Sequence, residues 1–286
     1  MAQSPAGLLP SGNVTEAVRV VRAPPGLIWR ALTADQVVGT VRTSLRPNGR
    51  WFLAFEACRA DSYQPLLAAV ADNTASDLYA TIDEADQEAL ETFARLGFEV
   101  TRREGNYLIP SDPAVTGLDG STEPDGTVII SAADAYEDQL RLLDDALRQD
   151  VPGAAGWQWD PGDFREETYD SPDFDPATYL IAVDSETGDY IGLARVWNNP
   201  GQPRLGLIAV KRDYRRRGLA RALLGRAFAV LHQRGKAQVT AEIDDTNTAS
   251  LALLLGLGAR RDGSSVELIK RYALPPGSLP TQGQPR

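Results

Sequence analysis

The sequence predicts an α/β protein (an α+β arrangement with a mixed sheet). It is arranged as two related units, in which helices flank a central mixed sheet. Three observations predict this fold. Apolar runs of strand length alternate along the chain with segments whose apolar residues recur at helical spacing. A basic turn that contains Gly218 joins one such strand to one such helix. The first half of the chain also repeats the pattern of the second half.

Composition restricts the classes of protein to consider. The chain has 286 residues, a length that suits one large or two ordinary domains. Cys58 is the one cysteine and His232 the one histidine, which excludes an internal disulfide and any cysteine- or histidine-rich metal site. We therefore expect no bound metal. No apolar run approaches the length of a membrane span and the N-terminal stretch lacks a signal-peptide pattern, so we expect a cytoplasmic protein without membrane contact.

The charged residues are unevenly distributed along the chain. The net charge is −10, yet arginines are concentrated around the Gly218 turn and carboxylates within residues 160–175. A basic cluster suits a polyphosphate ligand, whereas an acidic cluster suits a cationic one. The acidic stretch has a second interpretation, a solvated loop. An acidic protein with so local a basic patch is not expected to bind nucleic acid.

The first half aligns with the second without a gap around one predicted strand and helix. Residues 82–86 fall under residues 243–247. Outside this ungapped segment, Gly39 falls under Gly192. The aligned apolar and glycine positions that follow are Leu90 with Leu251, Phe93 with Leu254, and Gly97 with Gly258. Where the second half has the glycine turn, residues 59–65 contain no glycine. Pro65 there removes a main-chain donor, and Asp61 places an acid where the second half is basic.

We therefore predict a truncated, degenerate N-terminal unit at residues 1–110 that lacks a ligand site. Residues 111–126 are rich in Pro, Gly, Ser and Asp without periodicity, which predicts a linker. The second unit is predicted at residues 127–274, and the tail at 275–286 is predicted to be disordered.

The second unit is predicted element by element. A strand at 127–131 precedes a helix with Leu140, Leu143 and Leu147 on one face and Asp134 as its cap. A loop at 151–159 follows, and a turn at 185–189 separates strands at 179–183 and 190–197. The remaining predicted elements are a strand at 205–210, a helix from 219, a strand at 237–243, a helix at 246–257 and a strand at 265–272.

The turn before the helix at 219 is typical of an anion site. The first main-chain N–H groups of a helix have no partner within the helix, and the helix dipole adds partial positive charge there. Gly218 allows close approach of a phosphate, because glycine has no Cβ.

The turn and the residues after it resemble the acetyl-CoA site of the GNAT acyltransferase superfamily. The family signature Arg/Gln-x-x-Gly-x-Gly/Ala is matched by Arg215, Gly218 and Ala220, and Asn247, Ser250 and Gly258 match its downstream positions. The resemblance covers roughly residues 127–272 and, through the repeat, suggests a tandem arrangement of two GNAT units. It implies transfer of an acetyl group from acetyl-CoA to a primary amine of a small molecule, by direct attack while both are bound, in a monomer or homodimer.

The resemblance also implies which residues bind acetyl-CoA. Main-chain groups of Ile208, Ala209 and Val210 would hold the pantetheine arm and the acyl carbonyl, with Asn247 and Ser250 facing that arm. The main-chain N–H groups implied at the pyrophosphate are those of Arg216, Arg217, Gly218, Leu219 and Ala220, and Arg215, the first residue of the signature, is a further predicted cofactor residue.

The sequence departs from the family where proton transfer is concerned. Leu254 stands where the family usually has a tyrosine, and Ala259 where it usually has a phenylalanine. Residues 204–206 carry no carboxylate at the start of the central strand, where the family often has one. Glu242 is the predicted general base, and its alternative interpretation is a solvated strand carboxylate. A thiolate needs little protonation near neutral pH, because a thiol has a pKa of roughly 8.5.

For the acceptor site we predict Trp157, Trp159, Asp170 and Trp197, since aromatic faces and carboxylates suit an organic ammonium ion. The alternative for the tryptophans is core packing. Two other functions remain open. The missing tyrosine favours a catalytically silent acyl-CoA-binding sensor or partner module, and an acyltransferase with a non-amine acceptor is the other.

Overall fold

The computed structural model describes residues 17–23, 26–199 and 201–272. Within these residues the chain forms two compact units. The first contains the chain up to Ser44 together with Leu53–Ser76, and the second contains Leu45–Phe52 together with the chain from Asp77. This division differs from the predicted one at residues 110–127, because the strands between residues 78 and 110 are hydrogen-bonded to strands of the second half. The tail predicted at 275–286 lies outside the described residues.

The first unit contains four strands, the first three of which pair antiparallel in chain order, and one α-helix. Its elements are β1 (Arg19–Ala23), β2 (Ile28–Thr33), β3 (Gln36–Leu45), β4 (Trp51–Glu56) and α1 (Tyr63–Thr74). The strands are neighbours in chain order. Leu66, Leu67 and Val70 form the buried face of α1. Gly39 is required on β3, because a Cβ there would lie 2.5 Å from Oγ of Ser62.

The second unit is a mixed sheet with helices on both faces. Its strands are β5 (Leu78–Asp83), β6 (Glu99–Pro110), β7 (Thr127–Ser131), β8 (Tyr179–Asp184), β9 (Tyr190–Trp197), β10 (Arg204–Val210), β11 (Gln238–Asp244) and β12 (Arg260–Lys270). Its helices are α2 (Gln87–Arg95), α3 (Pro113–Thr116), α4 (Glu137–Arg148), α5 (Pro161–Thr168), α6 (Leu219–Gln233) and α7 (Thr248–Leu255). The strand order is β5-β12-β6-β11-β10-β9-β8-β7.

The strand order interleaves the two halves of the sequence. The closing strand β12 lies between β5 and β6 of the first half, and β6 in turn pairs with β11 of the second half. In the antiparallel register of β6 with β11, Glu104 lies opposite Asp244 and Asn106 opposite Glu242. A strand from the first half therefore borders the central strands of the second.

The aligned segments of the two halves have matching local geometry. Asp86 caps α2 by accepting from the N–H of Ala89, and Asn247 caps α7 by accepting from the N–H of Ser250. The φ and ψ of the two caps are −83° and 78° for Asp86, and −83° and 70° for Asn247. The two helices are followed by Gly97 and Gly258, whose φ values of 83° and 78° lie in the left-handed region.

Two hydrophobic clusters cover the faces of the second sheet. The first surrounds α6, where Leu223, Leu224 and Phe228 have no exposed surface. The second lies under α4 and α5, with Leu140 and Phe164 fully buried among its members. The apolar spacing that predicted α4 and α6 thus corresponds to their buried faces.

Three local predictions differ from the structure. The segment predicted as a linker contains α3, capped by Asp112, and its Leu118 is buried in the cluster around α6. The helix α4 begins after Tyr136 rather than at Asp134, which lies in a preceding 3₁₀ turn. The acidic stretch interpreted as a loop contains α5, because Asp160 caps a helix with Pro161 at its first position.

Candidate functional site

The site is organised around the divergence of β10 and β11. These parallel strands pair at Arg204 and Thr240. Beyond this point the other edge of β10 remains paired to β9 as far as Val210, with a bulge between Leu205 and Leu207. Two cavities, of about 530 Å³ and about 100 Å³, lie where the strands separate. Both are lined by Val151, Ile208, Asn247 and Ser250, so the two cavities adjoin each other.

The larger cavity is a groove against the N-terminus of α6. Gly218 is the N-cap residue of α6, and no side chain caps this helix end. Its φ of 88° and the φ of 65° at Arg216 put alternate residues of the turn in the left-handed region. Such alternation is typical of an anion-binding concavity made by main-chain N–H groups. The N–H groups of the first turn of α6 are therefore available to a ligand.

The structure brings most residues implied at the cofactor onto this groove. Its lining includes every one of them except Arg217: Ile208, Ala209, Val210, Arg215, Arg216, Gly218, Leu219, Ala220, Asn247 and Ser250. The guanidinium of Arg217 instead donates to the carbonyl of Asp213 and lies over the ring of Tyr214. Arg221, one of the arginines concentrated around the Gly218 turn, also lines the groove, as does Asp150, which sequence reasoning missed.

The side chain of Arg215 has two protein partners at the edge of the groove. Its Nε donates to the carbonyl of Val210 at 2.8 Å, and its Nη2 lies 2.5 Å from Oδ2 of Asp150. The Arg215 guanidinium holds the pKa of the Asp150 carboxyl below its usual range. The side chain of Arg215 thus braces the turn against the end of β10. Arg216 and Arg221 remain the arginines that line the groove without an acidic partner among the described residues.

The smaller cavity is lined by polar side chains from both halves of the sequence. Arg102 and Glu104 come from β6, and Glu242 and Asp244 come from β11. Apolar residues complete the wall, including Leu205, Leu207 and Leu254. Because this cavity adjoins the groove, a group placed here reaches the diverging strands from the side of β6.

A network of ion pairs orders the charged side chains around this cavity. Nη1 of Arg102 lies 2.6 Å from Oε1 of Glu104 and 3.5 Å from Oδ2 of Asp244. Nη2 of Arg102 donates to Glu267 at 2.9 Å, and Glu267 also accepts from Arg50 at 3.1 Å. The loop that contains Gly153 packs on this arginine, because a Cβ at Gly153 would lie 2.6 Å from the Arg102 guanidinium carbon.

Glu104 is the carboxylic acid lining the smaller cavity whose pKa is raised. Burial raises the pKa of its carboxyl, and the carboxylates of Glu242, Glu267 and Asp244 raise it further, against the lowering effect of Arg102. Sequence reasoning missed Glu104 because it belongs to the half that was predicted to lack a site. The one signal in the sequence is its place on the last strand of that half, and only the tertiary structure decides which strand pairs with it.

The predicted base Glu242 also lines the smaller cavity, but its carboxylate is engaged. Oε2 accepts from Nε of Arg204 at 2.8 Å and lies 2.7 Å from Nη2 of the same residue. Its side chain is 33% exposed, against 21% for Glu104. Leu254, at the position where the resemblance expects a tyrosine, is buried and forms part of the apolar wall.

The aromatic residues predicted for the acceptor do not line either cavity. Trp159 is buried in the cluster under α4 and α5, where its Nε1 donates to Oδ1 of Asp144 at 2.8 Å. Trp157 packs at the edge of the same cluster, with the Arg148 guanidinium 4.4 Å from its ring centroid. Trp197 lies against Gly206, where a Cβ would come within 2.7 Å of its Nε1. The structure thus places these tryptophans in packing positions.

The acidic stretch is likewise built into the fold. Asp160 caps α5, and Asp175 is buried, with Arg234 as its ion-pair partner. Asp170, also predicted at the acceptor, is exposed and does not line either cavity. Some carboxylates of this stretch therefore have structural partners, as a helix cap or in an ion pair.

Metal-binding clusters and membrane-spanning helices are both absent from the described residues. No group of three or more His, Cys, Asp or Glu residues there has the arrangement to hold a metal ion. None of the helices in the described ranges is long and apolar enough to cross a membrane.

Comparison with known proteins gives a family match that covers the larger groove but only part of the smaller cavity. Residues 141–259 match the acetyltransferase (GNAT) family. The matched segment contains the turn, β10, β11 and α7, and thus the whole wall of the larger groove. It does not contain β6, which contributes Arg102 and Glu104 to the smaller cavity.

Two curated relatives match part of the chain. They are the mycothiol acetyltransferases of Salinispora tropica, 34% identical, and Salinispora arenicola, 36% identical, each over 110 residues. These alignments cover 36% of this chain and 35% of each relative. The chain thus matches about a third of the length of these relatives.

Solved structures share the fold at low identity. A GCN5-related N-acetyltransferase from Sphaerobacter thermophilus has a TM-score of 0.61 and 18% identity, over 86% of this chain and 80% of that chain. A tandem GNAT protein from the clavulanic acid biosynthesis pathway has a TM-score of 0.63 and 17% identity, over 87% of this chain and 83% of that chain. The predicted α/β fold with a large mixed sheet is confirmed.

Proposed function

Because residues 141–259 match the acetyltransferase (GNAT) family, we propose that this protein is an acyltransferase that uses acetyl-CoA and a primary amine of a small molecule. One observation carries the proposal. The uncapped N-terminus of α6 and the diverging edge of β10 line a single groove of about 530 Å³, which continues into a smaller polar cavity.

The groove fits the chemistry of acetyl-CoA along its length. Main-chain N–H groups of residues 216–220 and the dipole of α6 would hold the pyrophosphate, with Arg216 and Arg221 adding positive charge. Main-chain groups of β10 beyond Arg204 would hold the pantetheine arm and polarise the acyl carbonyl, with Asn247 and Ser250 on the opposite wall.

The chain's main contribution to rate would be positioning. Acetyl-CoA would supply an activated thioester when bound, and the diverging strands would hold its carbonyl near the residues that the two cavities share. An amine in the smaller cavity would then attack within one complex, which removes most of the entropy cost of a bimolecular encounter. Leu254 makes the wall apolar, so departure of the thiolate would depend on its own low basicity.

The acceptor class rests on the polar lining of the smaller cavity. Glu104, Glu242 and Asp244 place three carboxylates around it, and this surplus of negative charge suits an ammonium group. The name of the two curated relatives makes an acceptor related to mycothiol the first compound to test.

A second candidate function is a catalytically silent acyl-CoA-binding module. The specific observation that favours it is Leu254, which occupies the wall where the family resemblance expects a proton donor. In this case acetyl-CoA would bind at the same groove without release of CoA to any acceptor.

The test combines binding with turnover. Calorimetry with acetyl-CoA should show one site per chain, because the first half lacks the glycine turn. A thiol assay should then detect acceptor-dependent release of CoA with a panel of primary amines that includes the mycothiol-related acceptor. Binding without release for every amine would favour the silent module, and the absence of binding would contradict both candidates.

A further inference from the structure

We propose that Glu104, on a strand from the first half of the chain, is the proton acceptor for the attacking amine. This inference rests on the function proposed above and assigns a catalytic residue to the smaller cavity. It also gives the first half a chemical role, although that half lacks the glycine turn.

The first step of the argument is placement. β6 lies directly beside β11 in the sheet, and Glu104 is opposite Asp244 in their register. Glu104 lines the smaller cavity together with Ile208, Asn247 and Ser250, which also line the acetyl-CoA groove. A carboxylate at this position therefore faces the space from which an acceptor would approach the diverging strands.

The second step compares the carboxylates around the cavity. Glu267 and Asp244 have side chains only 3% and 5% exposed, and both are engaged. Glu267 accepts from Arg50 and Arg102, while Asp244 accepts from the N–H and hydroxyl of Thr246. Glu242 is paired with Arg204 through two nitrogens. Glu104 is ion-paired with Arg102 alone among the described residues, and Arg102 is shared with Glu267 and Asp244.

The third step is the charge around Glu104. Arg102 faces it from the same strand, Glu242 and Asp244 from β11, and Glu267 from β12. Arg46, in the loop before β4, also interacts electrostatically with Glu104. Among the described residues, the four carboxylates are ion-paired to three arginines, Arg50, Arg102 and Arg204. The carboxylates of Glu242, Glu267 and Asp244 add to burial in raising the pKa of Glu104, against the lowering effect of Arg102, and a raised pKa strengthens Glu104 as a base.

The proton balance of the step is complete with the proposed substrates. An ammonium acceptor gives one proton to the Glu104 carboxylate, which frees the nitrogen lone pair. That lone pair forms the bond to the thioester carbonyl carbon, and the carbon–sulfur bond breaks with its electron pair on sulfur. The nitrogen loses its second proton as the amide forms, and this proton neutralises the thiolate. The proton on Glu104 returns to water.

The first arm of the test is kinetic. Glu104→Gln keeps the shape of the side chain but cannot accept the proton, so kcat for alkylamines should fall by about 10²- to 10⁴-fold. The acidic limb of the pH profile should disappear, since that limb reports ionisation of the base. Glu104→Asp should retain the limb at a reduced rate. Hydroxylamine, which is largely unprotonated at neutral pH, should lose much less rate than alkylamines in Glu104→Gln.

Two comparison variants distinguish the effect of Glu104 from that of nearby carboxylates. Glu99→Gln removes an exposed carboxylate from the same strand and should leave kcat and the pH profile unchanged. Glu242→Gln should keep the acidic limb. If Glu242→Gln loses the limb and Glu104→Gln keeps it, Glu242 is the base and the assignment to Glu104 is wrong.

The second arm needs no acceptor. Infrared difference spectra of the protein with CoA bound, recorded against pH, should show one carboxyl that titrates above the ordinary range of glutamate. The band should be absent in Glu104→Gln and present in Glu99→Gln. A Glu104 carboxyl that titrates in its ordinary range would overturn the inference, whatever the kinetics show.

The two arms also distinguish this inference from the proposed function. Calorimetry should give the same acetyl-CoA affinity for Glu104→Gln and the wild type within about twofold, because Glu104 does not line the cofactor groove. Wild-type protein that binds acetyl-CoA but releases no CoA to any amine contradicts the proposed function. In that case the titration alone decides whether Glu104 has the basicity that we assign to it.

Discussion

At Gly218, the effects of main-chain conformation and of side-chain charge on ligand binding can be tested separately. Its φ of 88° strains any other residue, but the space around it is open, since a Cβ added there would lie 3.9 Å from Cγ of Pro124. Asp and Asn have nearly the same shape and both tolerate this conformation better than most residues, at a cost of roughly 1–2 kcal/mol. They differ in the charge that they place among the N–H groups of the turn.

We therefore predict that Gly218→Asp weakens acetyl-CoA binding much more than Gly218→Asn. The aspartate carboxylate would repel the pyrophosphate, whereas the asparagine amide carries only the shared backbone strain. Calorimetric dissociation constants, with far-UV circular dichroism to check the fold, make the comparison. Equal affinities for the two variants would mean that this turn does not hold the phosphates.

Trp157 and Trp159 offer a second matched pair at the scale of single residues. Nε1 of Trp159 donates to the fully buried Asp144, while Nε1 of Trp157 is buried without a hydrogen-bond partner among the described residues. Trp159→Phe should lower the free energy of unfolding by about 1.5–3 kcal/mol, because it removes a hydrogen bond to a charged acceptor. Trp157→Phe should cost clearly less.

Chemical denaturation of the two variants checks this prediction, and acceptor kinetics add the functional part. Because neither tryptophan lines the cavities, KM for the acceptor should be unchanged in both. A selective rise of KM in Trp159→Phe would support the predicted role of Trp159 at the acceptor site.

At the scale of helices and strands, the caps of α2 and α7 are equivalent in geometry but not in position. Asp86 and Asn247 have nearly the same φ and ψ and accept from the N–H three residues ahead. Asn247 lines both cavities, whereas Asp86 lines neither. The two caps therefore separate a stability effect from a binding effect.

We predict that Asp86→Ala and Asn247→Ala each lower the free energy of unfolding by about 1 kcal/mol, as the loss of a cap usually does. Only Asn247→Ala should also weaken acetyl-CoA binding. Thermal denaturation with and without acetyl-CoA measures both effects, because a ligand that binds the folded state more tightly raises the midpoint further. Equal ligand-induced shifts in the two variants would exclude Asn247 from the cofactor site.

At the scale of the whole chain, the interleaved strands make the two halves of the sequence dependent on each other. β12 is paired on both sides by strands of the first half, and β6 is paired on both sides by strands of the second. A fragment of residues 111–286 would leave β11 with an unpaired edge and β12 with no partner strand. Unpaired edges of this kind promote aggregation.

We predict that fragments 1–110 and 111–286 are each insoluble or unfolded when they are produced alone, and that they form one folded complex when they are produced together. Size-exclusion chromatography and circular dichroism of the separate and combined fragments provide the measurement. A soluble, folded fragment 111–286 that binds acetyl-CoA by itself would show that the predicted domain boundary at residues 111–126 is correct in solution.

The local features of this protein could be predicted from its sequence. Gly218 and the arginines around it predicted the turn, since a glycine before an apolar helix has a local conformational reason to be there. Asn247 and Asp86 were aligned from the sequence, and the structure gives them the same cap geometry. The spacing of Leu140, Leu143 and Leu147 predicted the buried face of α4. All of these depend on interactions within a few residues.

Only the tertiary structure shows which side chains of the two halves line the same cavity. Glu104 reaches the cavity because β6 pairs with β11, a contact between segments far apart in the sequence that no local pattern encodes. Trp159 became a core residue because its partner Asp144 lies on α4, and its aromatic character by itself suited an acceptor pocket equally well. Strand pairing and burial depend on the whole chain, so the glycine turn could be predicted from the sequence, whereas the position of Glu104 at the smaller cavity could not.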